Sequence, residues 1–212
     1  MTKRIGLLGG TFNPIHNGHL QLAGFVRQQL QLDEMQLLPN HLPPHKEQPL
    51  VTSAHRLAMA QAAINDEPQL QINPIELNRD EPSYSVETLR RLRQQHPQDA
   101  IFFTMGMDSF INLSSWYQWQ QLLNLCHLVV CQRPGDQMPE QGPEAQLWQQ
   151  FGIANNQLQQ LPLVGHIICL HNPLWPVSST EIRQQLQCGE HANQWLPPAV
   201  AQYIADHQLY RQ

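Results

Sequence analysis

The stretch RIGLL at residues 4–8 is a continuous apolar run that stops at Gly9 and Gly10. Soon afterwards the apolar positions change to four-residue spacing, at Leu22, Val26 and Leu30. An unbroken apolar run of this length suits a strand buried on both faces, and the change of period predicts a helix behind it. The alternation then repeats. MQLLP (35–39) predicts a second strand stopped by proline, and Ser53 an N-cap for a helix carrying Leu57, Ala60 and Ile64. LQINPIEL (70–77) predicts a third strand, which Pro74 confines to an edge or a bend. Ser85 can cap a helix with Val86, Leu89 and Leu92 on one face. AIFFTMG (100–106), HLVVCQR (127–133) and HIICL (166–170) predict further strands. Helices are expected over Trp116 to Leu125, around Trp148, from Thr180 to Cys188 with Gly189 as the stop, and after Pro198.

Such alternation implies an α/β fold, a mainly parallel sheet with helices on both faces. Ligands bind such sheets beyond the carboxyl ends of the strands, which directs attention to loops 9–19, 39–46, 78–85, 106–109 and 171–180. The 212 residues suit a single domain over 1–212, with a less regular excursion at about 134–162. A net charge of −5 speaks against a nucleic-acid or anionic-membrane surface. No apolar run approaches the length of a membrane span, and the short run at 5–8 is too brief for a secretory signal. The four cysteines form no CxxC pair and read as buried free thiols of a reducing, cytoplasmic setting.

Residues 9–19, GGTFNPIHNGH, carry the first chemistry. Gly9 and Gly10 let backbone approach a ligand, and the helix that follows offers N–H groups and a positive dipole end to a phosphate. The spacing is that of neither the dinucleotide fingerprint nor the P-loop. His16 and His19, at i and i+3, could donate to phosphoryl oxygens, ligate zinc, or simply cap and pack the helix; zinc would want a third protein ligand. The second constellation is VSSTEIR (177–183), where Ser178, Ser179 and Thr180 precede a helix and Arg183 lies one turn in. It reads as an anion site or as ordinary capping beside a surface arginine.

Taken together, these segments resemble the paired signatures of the nucleotidyltransferase α/β-phosphodiesterase superfamily. His16-Asn17-Gly18-His19 matches its (H/T)xGH element, and Ser178 to Arg183 its SxTxxR element. PNHLPPHK (39–46), PSYSVETL (82–89), GMDS (106–109), WY (116–117) and VVCQRPG (129–135) follow in an order similar to the bacterial nicotinate-nucleotide adenylyltransferases over essentially the whole chain. That first loop more usually reads Gly-Gly-x-Phe-Asp-Pro, and Asn13 stands in place of the aspartate, keeping the turn-capping oxygen without the charge.

The resemblance implies a Rossmann-like sheet and transfer of AMP from ATP to nicotinate mononucleotide, giving deamido-NAD and pyrophosphate in NAD biosynthesis. It implies His16, His19 and Arg183 as catalytic residues. Gly9, Gly10, Thr11, Phe12, His19, Gly106, Asp108, Arg133, Ser179, Thr180 and Arg183 would bind ATP. His45, Lys46, Tyr84, Ser85, Trp116 and Tyr117 would bind the mononucleotide. Mg²⁺ would arrive with ATP, held through substrate phosphates and water rather than by protein ligands. The rivals are another acceptor within the superfamily, such as pantetheine phosphate or a cytidylyl transfer, and a nucleotide sensor without turnover.

Overall fold

The computed structural model describes residues 2–41, 51–78, 82–133, 135–154, 157–158 and 161–211. Seven strands form one sheet: β1 (Arg4–Gly10), β2 (Glu34–Pro39), β3 (Leu70–Ile72), β4 (Ala100–Gly106), β5 (His127–Cys131), β6 (Gly152–Ile153) and β7 (Ile167–Leu170). Their order is β3-β2-β1-β4-β5-β7-β6. The pairs β1–β4, β4–β5, β5–β7 and β6–β7 are all parallel. The helices are α1 (Asn17–Gln29), α2 (Ser53–Ala63), α3 (Ser85–Gln95), α4 (Met107–Phe110), α5 (Pro143–Phe151), α6 (Ser179–Gln187) and α7 (Pro198–Asp206). This is the expected Rossmann-like α/β fold. No helix among the described residues is long and apolar enough to cross a membrane.

Two compact units emerge from the chain: residues 1–9, 25–35 and 84–174, and residues 10–24, 36–83 and 175–212. In the first, β4 and β5 are buried over nearly their whole length, as strands covered on both faces must be. The register Leu8↔Thr104 between β1 and β4 carries Gly9 and Gly106 to the same end of the sheet. The strand order reverses at that pair, because β2 and β3 lie on one side of β1 and β4 on the other. In the second unit α2 packs on α7, and His55 Nδ1 lies 2.9 Å from the Tyr203 hydroxyl.

Several expected boundaries move. The cap of α2 is Thr52, whose side chain accepts from the His55 N–H; Ser53 is the first helical residue. Tyr84 caps α3 without a side-chain bond, and Ser85 is its first residue. Strand 70–77 shortens to Leu70–Ile72, at the sheet edge that Pro74 demanded. Two short 3-10 turns, Leu113–Ser115 and Trp119–Asn124, replace a helix over Trp116 to Leu125. Gln118, between them, has φ 50°, which no α-helix accommodates. Within the excursion, α5 forms around Trp148, and β6 follows it to pair with β7. All four cysteines are free; burial pushes the Cys126 and Cys131 thiols up to about 12, but Cys188 is exposed rather than buried.

His127 at the start of β5 is fully buried. Its Nδ1 accepts the His166 N–H at 3.2 Å, so Nε2 donates to the Pro162 carbonyl at 2.9 Å. A second proton would have to displace the His166 bond. Burial first, then the charges of His166, Arg4 and Arg93, push this imidazole down to about 4, against the Pro162 carbonyl, which raises it. The unfolded chain therefore takes up the proton first. Stability is complete above about pH 6.5 and falls as pH drops toward 4, by on the order of 3 kcal/mol. Urea unfolding at pH 7 and pH 4 measures the loss. His127→Gln keeps a donor and an acceptor but has no proton to gain, so its decline should be shallower; parallel declines would remove His127 as the cause.

Candidate active site

In the second unit the loop after β1 and the start of α6 are tied to one another. Gly10 permits the first turn: a Cβ there would lie 2.7 Å from the Phe12 ring, which is 2 % exposed and cannot yield. Arg183 Nη1 donates to the Asn13 carbonyl at 2.8 Å, and the Ser179 hydroxyl to the Pro14 carbonyl at 2.9 Å. Arg183 Nη2 reaches Thr180 Oγ1 at 3.3 Å. Ser178 and Glu181 form a reciprocal capping box, so the Ser178 hydroxyl serves the helix. Of the three hydroxyls expected to face an anion, those of Ser178 and Ser179 thus donate to structural partners, and that of Thr180 accepts from Arg183. The backbone N–H groups of Ser179 and Thr180, in the first turn of α6, are donors that a helix does not use internally.

His16 occupies the cap position of α1, and His19 is its third residue. The His19 N–H donates to the His16 carbonyl at 2.9 Å, and the His16 N–H donates to His19 Nδ1 at 3.2 Å. This is the return half of a capping box with imidazole in place of carboxylate. With Nδ1 accepting, Nε2 is the ring nitrogen left to donate. The two rings stack at 3.7 Å, and Phe12 meets His19 edge-on at 5.1 Å. Gly18 makes room for the pair, because a Cβ there would lie 2.8 Å from Val177 Cγ1 and 3.2 Å from the His16 ring. Capping and phosphate donation are therefore compatible uses of one imidazole, since each takes a different nitrogen. Among the described residues no three His, Cys, Asp or Glu side chains gather as a metal cluster.

In the first unit, Arg133 Nε stands 3.4 Å from Asp108 Oδ1, beside Gly106 at the end of β4. Both side chains are about half exposed, so the pair contributes little to stability and can exchange partners with a ligand. Trp116 packs edge-on against Phe103 at 6.5 Å, and the Tyr84 and Tyr117 rings lie tilted by 39° with centroids 4.7 Å apart. Arg90 of α3 donates to the Gln118 side chain, whose amide donates to the Tyr117 hydroxyl at 2.7 Å. Glu144 of α5 accepts the Ser114 N–H at 2.8 Å. Burial works to raise that carboxyl, but the Ser114 hydrogen bonds outweigh it and hold it below its usual range. The excursion thus braces the turn that carries Trp116 and Tyr117. Asn172, 7 % exposed, accepts the Gln132 N–H at 2.7 Å and steadies the chain before Arg133.

Gly10, Thr11, Phe12, His16, His19, Ser179, Thr180 and Arg183 thus lie in the second unit, and Gly9, Tyr84, Ser85, Gly106, Asp108, Trp116, Tyr117 and Arg133 in the first. His45 and Lys46 lie outside the described residues. Arg56, Tyr210, Arg90, Glu144 and Asn172 escaped the sequence reading. Each acts by holding backbone or a neighbouring side chain, and no periodicity or motif marks such a role.

The cytidylyltransferase-like family model matches residues 7–185. A relative from Shewanella frigidimarina, named probable nicotinate-nucleotide adenylyltransferase, is 47 % identical over 98 % of this chain and all of its own. One of the same name from Cellvibrio japonicus is 44 % identical over the whole of both chains. Among solved structures, the Plasmodium falciparum nicotinic acid mononucleotide adenylyltransferase complexed with NaAD superposes with a TM-score of 0.75, covering 98 % of this chain and 97 % of that one. At 18 % identity that likeness speaks for the fold.

Proposed function

The chain belongs to the cytidylyltransferase-like family and, within it, to the nicotinate-nucleotide adenylyltransferases, and on that premise we propose that it transfers AMP from ATP to nicotinate mononucleotide. A 5′-phosphate oxygen of the mononucleotide attacks the α-phosphorus of ATP. The bond from that phosphorus to the bridging oxygen breaks, and pyrophosphate leaves with the electron pair. The acceptor is already an anion, so no protein nucleophile is needed, and the protein's work is to position two polyanions and neutralise charge. The observation that carries this reading is the tie between the loop at 9–19 and the start of α6, with His19 held as an Nε2–H donor.

In this reading His16 and His19 face the phosphates, and Arg183 with the first turn of α6 holds the β- and γ-phosphates. Asp108 accepts from the adenosine ribose, with Arg133 beside the nucleotide. Tyr84, Ser85, Trp116 and Tyr117 take the pyridine end of the acceptor. Mg²⁺ would be held by the substrate phosphates rather than by protein side chains, and would supply charge neutralisation there. A cytoplasmic setting accords with the free cysteines.

Pyrophosphate release from ATP, measured with nicotinate mononucleotide, phosphopantetheine and no acceptor, tests the reading. Release with the first alone is expected. Release with phosphopantetheine alone, or ATP binding without turnover, would overturn it. Arg183→Ala should raise KM for ATP about tenfold or more, the scale of lost hydrogen bonds to a charged group. An unchanged KM for ATP would show that the triphosphate lies elsewhere.

A further inference from the structure

We infer that Arg56 and Tyr210 are positioning residues for the phosphate-facing loop: their hydrogen bonds set the backbone and side chain of residues 11–13. The inference rests on the adenylyl-transfer reading above.

Arg56 lies on α2 and is 1 % exposed. Removing a guanidinium from water is costly, and it cannot escape the cost by losing its proton. Among the described residues no carboxylate pairs with it. Its two terminal nitrogens donate to main-chain oxygens instead: Nη1 to the Thr11 carbonyl at 2.7 Å and Nη2 to the His41 carbonyl at 3.2 Å. The Asn40 N–H donates to the Gly10 carbonyl at 2.9 Å, so residues 10–11 and 40–41 lie side by side with Arg56 clamping the pair. The Thr11 carbonyl begins the peptide that leads into Phe12, whose φ of 48° is uncommon for a residue with a side chain. Holding that carbonyl stabilises the turn from outside. An apolar side chain of similar volume could fill the space without the desolvation cost, but it could hold neither carbonyl.

Tyr210 follows α7 and takes φ 63°, again in the left-handed region. Its hydroxyl donates to Asn13 Oδ1 at 2.7 Å. Burial pushes the phenol up, so it keeps the proton it donates at any ordinary pH. Asn13 is then held through both oxygens, its carbonyl by Arg183 and its side chain by Tyr210. This explains how asparagine serves where a carboxylate is more usual: Tyr210 asks for an acceptor oxygen and has no need of charge. It also links the segment after α7 to the residue that Arg183 grips.

Steady-state kinetics and thermal melting of Tyr210→Phe, Asn13→Ala, the double variant, Asn13→Asp and Arg56→Met test the idea. Tyr210→Phe and Asn13→Ala should each lower kcat/KM for ATP about tenfold, the scale of one hydrogen bond, and leave KM for the mononucleotide unchanged. The double variant should be no worse than the more damaged single, because the two share one contact. Asn13→Asp, which retains the acceptor oxygen, should recover what Asn13→Ala loses. Arg56→Met should lower kcat/KM for ATP further than Tyr210→Phe; if it does not fold, the Tyr210 and Asn13 variants still decide. Losses that multiply in the double variant, or a Tyr210→Phe protein that melts lower with unchanged kcat/KM, would overturn the inference. Calorimetry with a non-hydrolysable ATP analogue separates this failure from failure of the functional reading. If the wild type binds the analogue but does not turn over ATP with the mononucleotide, the reaction is wrong, and the affinities of the variants still report on the loop. If it binds no ATP analogue, both are wrong.

Discussion

His19→Ala should lower kcat by about 10²–10³-fold, the scale of one lost transition-state donor, with KM for either substrate changing far less. The reason lies in how the imidazole is used. Its Nδ1 accepts the His16 N–H, so the proton stands on Nε2 and the ring is set by the backbone rather than by the substrate. A donor set in advance costs no reorganisation when charge moves from the α-phosphoryl group to the leaving pyrophosphate. His19→Gln separates the two roles, because its amide can donate but the ring stack on His16 and the edge contact with Phe12 are lost. Most of the loss should remain in His19→Gln. Removing one cap bond costs about 1 kcal/mol, so thermal melting should shift by only a few degrees. An unchanged kcat in His19→Ala would take His19 out of the mechanism.

Nicotinate mononucleotide should exceed nicotinamide mononucleotide by at least ~10² in kcat/KM. In the proposed reading the helix start at α3 would supply the discrimination. Thr52 caps α2 and Ser178 caps α6 with side-chain oxygens, but Tyr84 offers no such cap to α3. The N–H groups of Glu87 and Thr88 donate to the Tyr84 carbonyl at 3.1 and 3.2 Å, which narrows the expected set of donors to Ser85 and Val86. A carboxylate accepts from both and meets the positive end of the helix dipole. A carboxamide has one acceptor oxygen, and its NH₂ would face an N–H, leaving a buried donor unsatisfied at about 1–3 kcal/mol beyond the lost charge-assisted bond. Stacking on Trp116 does not read the carboxylate, so Trp116→Ala should weaken both acceptors alike. Equal kcat/KM for the two acceptors would sink the carboxylate site and indicate dual specificity.

Local pattern carried much of this molecule. The unbroken apolar runs at 4–8, 100–106 and 127–131 could only be strands covered on both faces, and that requirement implies parallel pairing with helical crossovers. The glycine turn, the two histidines and the SSTEIR helix start are likewise local, because each motif is a short stretch whose chemistry depends on its own spacing. What escaped was the support behind them. Arg56 holds a carbonyl 45 residues away, Tyr210 a side chain 197 residues away, Glu144 an N–H 30 away and Asn172 one 40 away. In three of these four the partner is main chain, which every residue carries, so no residue type or spacing could announce it. The helix caps at Thr52 and Tyr84 moved by one residue for a related reason: propensity names the residue types suited to a cap, but the fold decides which oxygen meets the first free N–H groups. The sequence alone determined most of the strand–helix order and marked the motifs proposed to face the phosphates. Only tertiary structure decided which nitrogen of His19 bears its proton, what Asn13's side chain is for, and which buried charge holds the turn, because all three depend on groups that folding brings together.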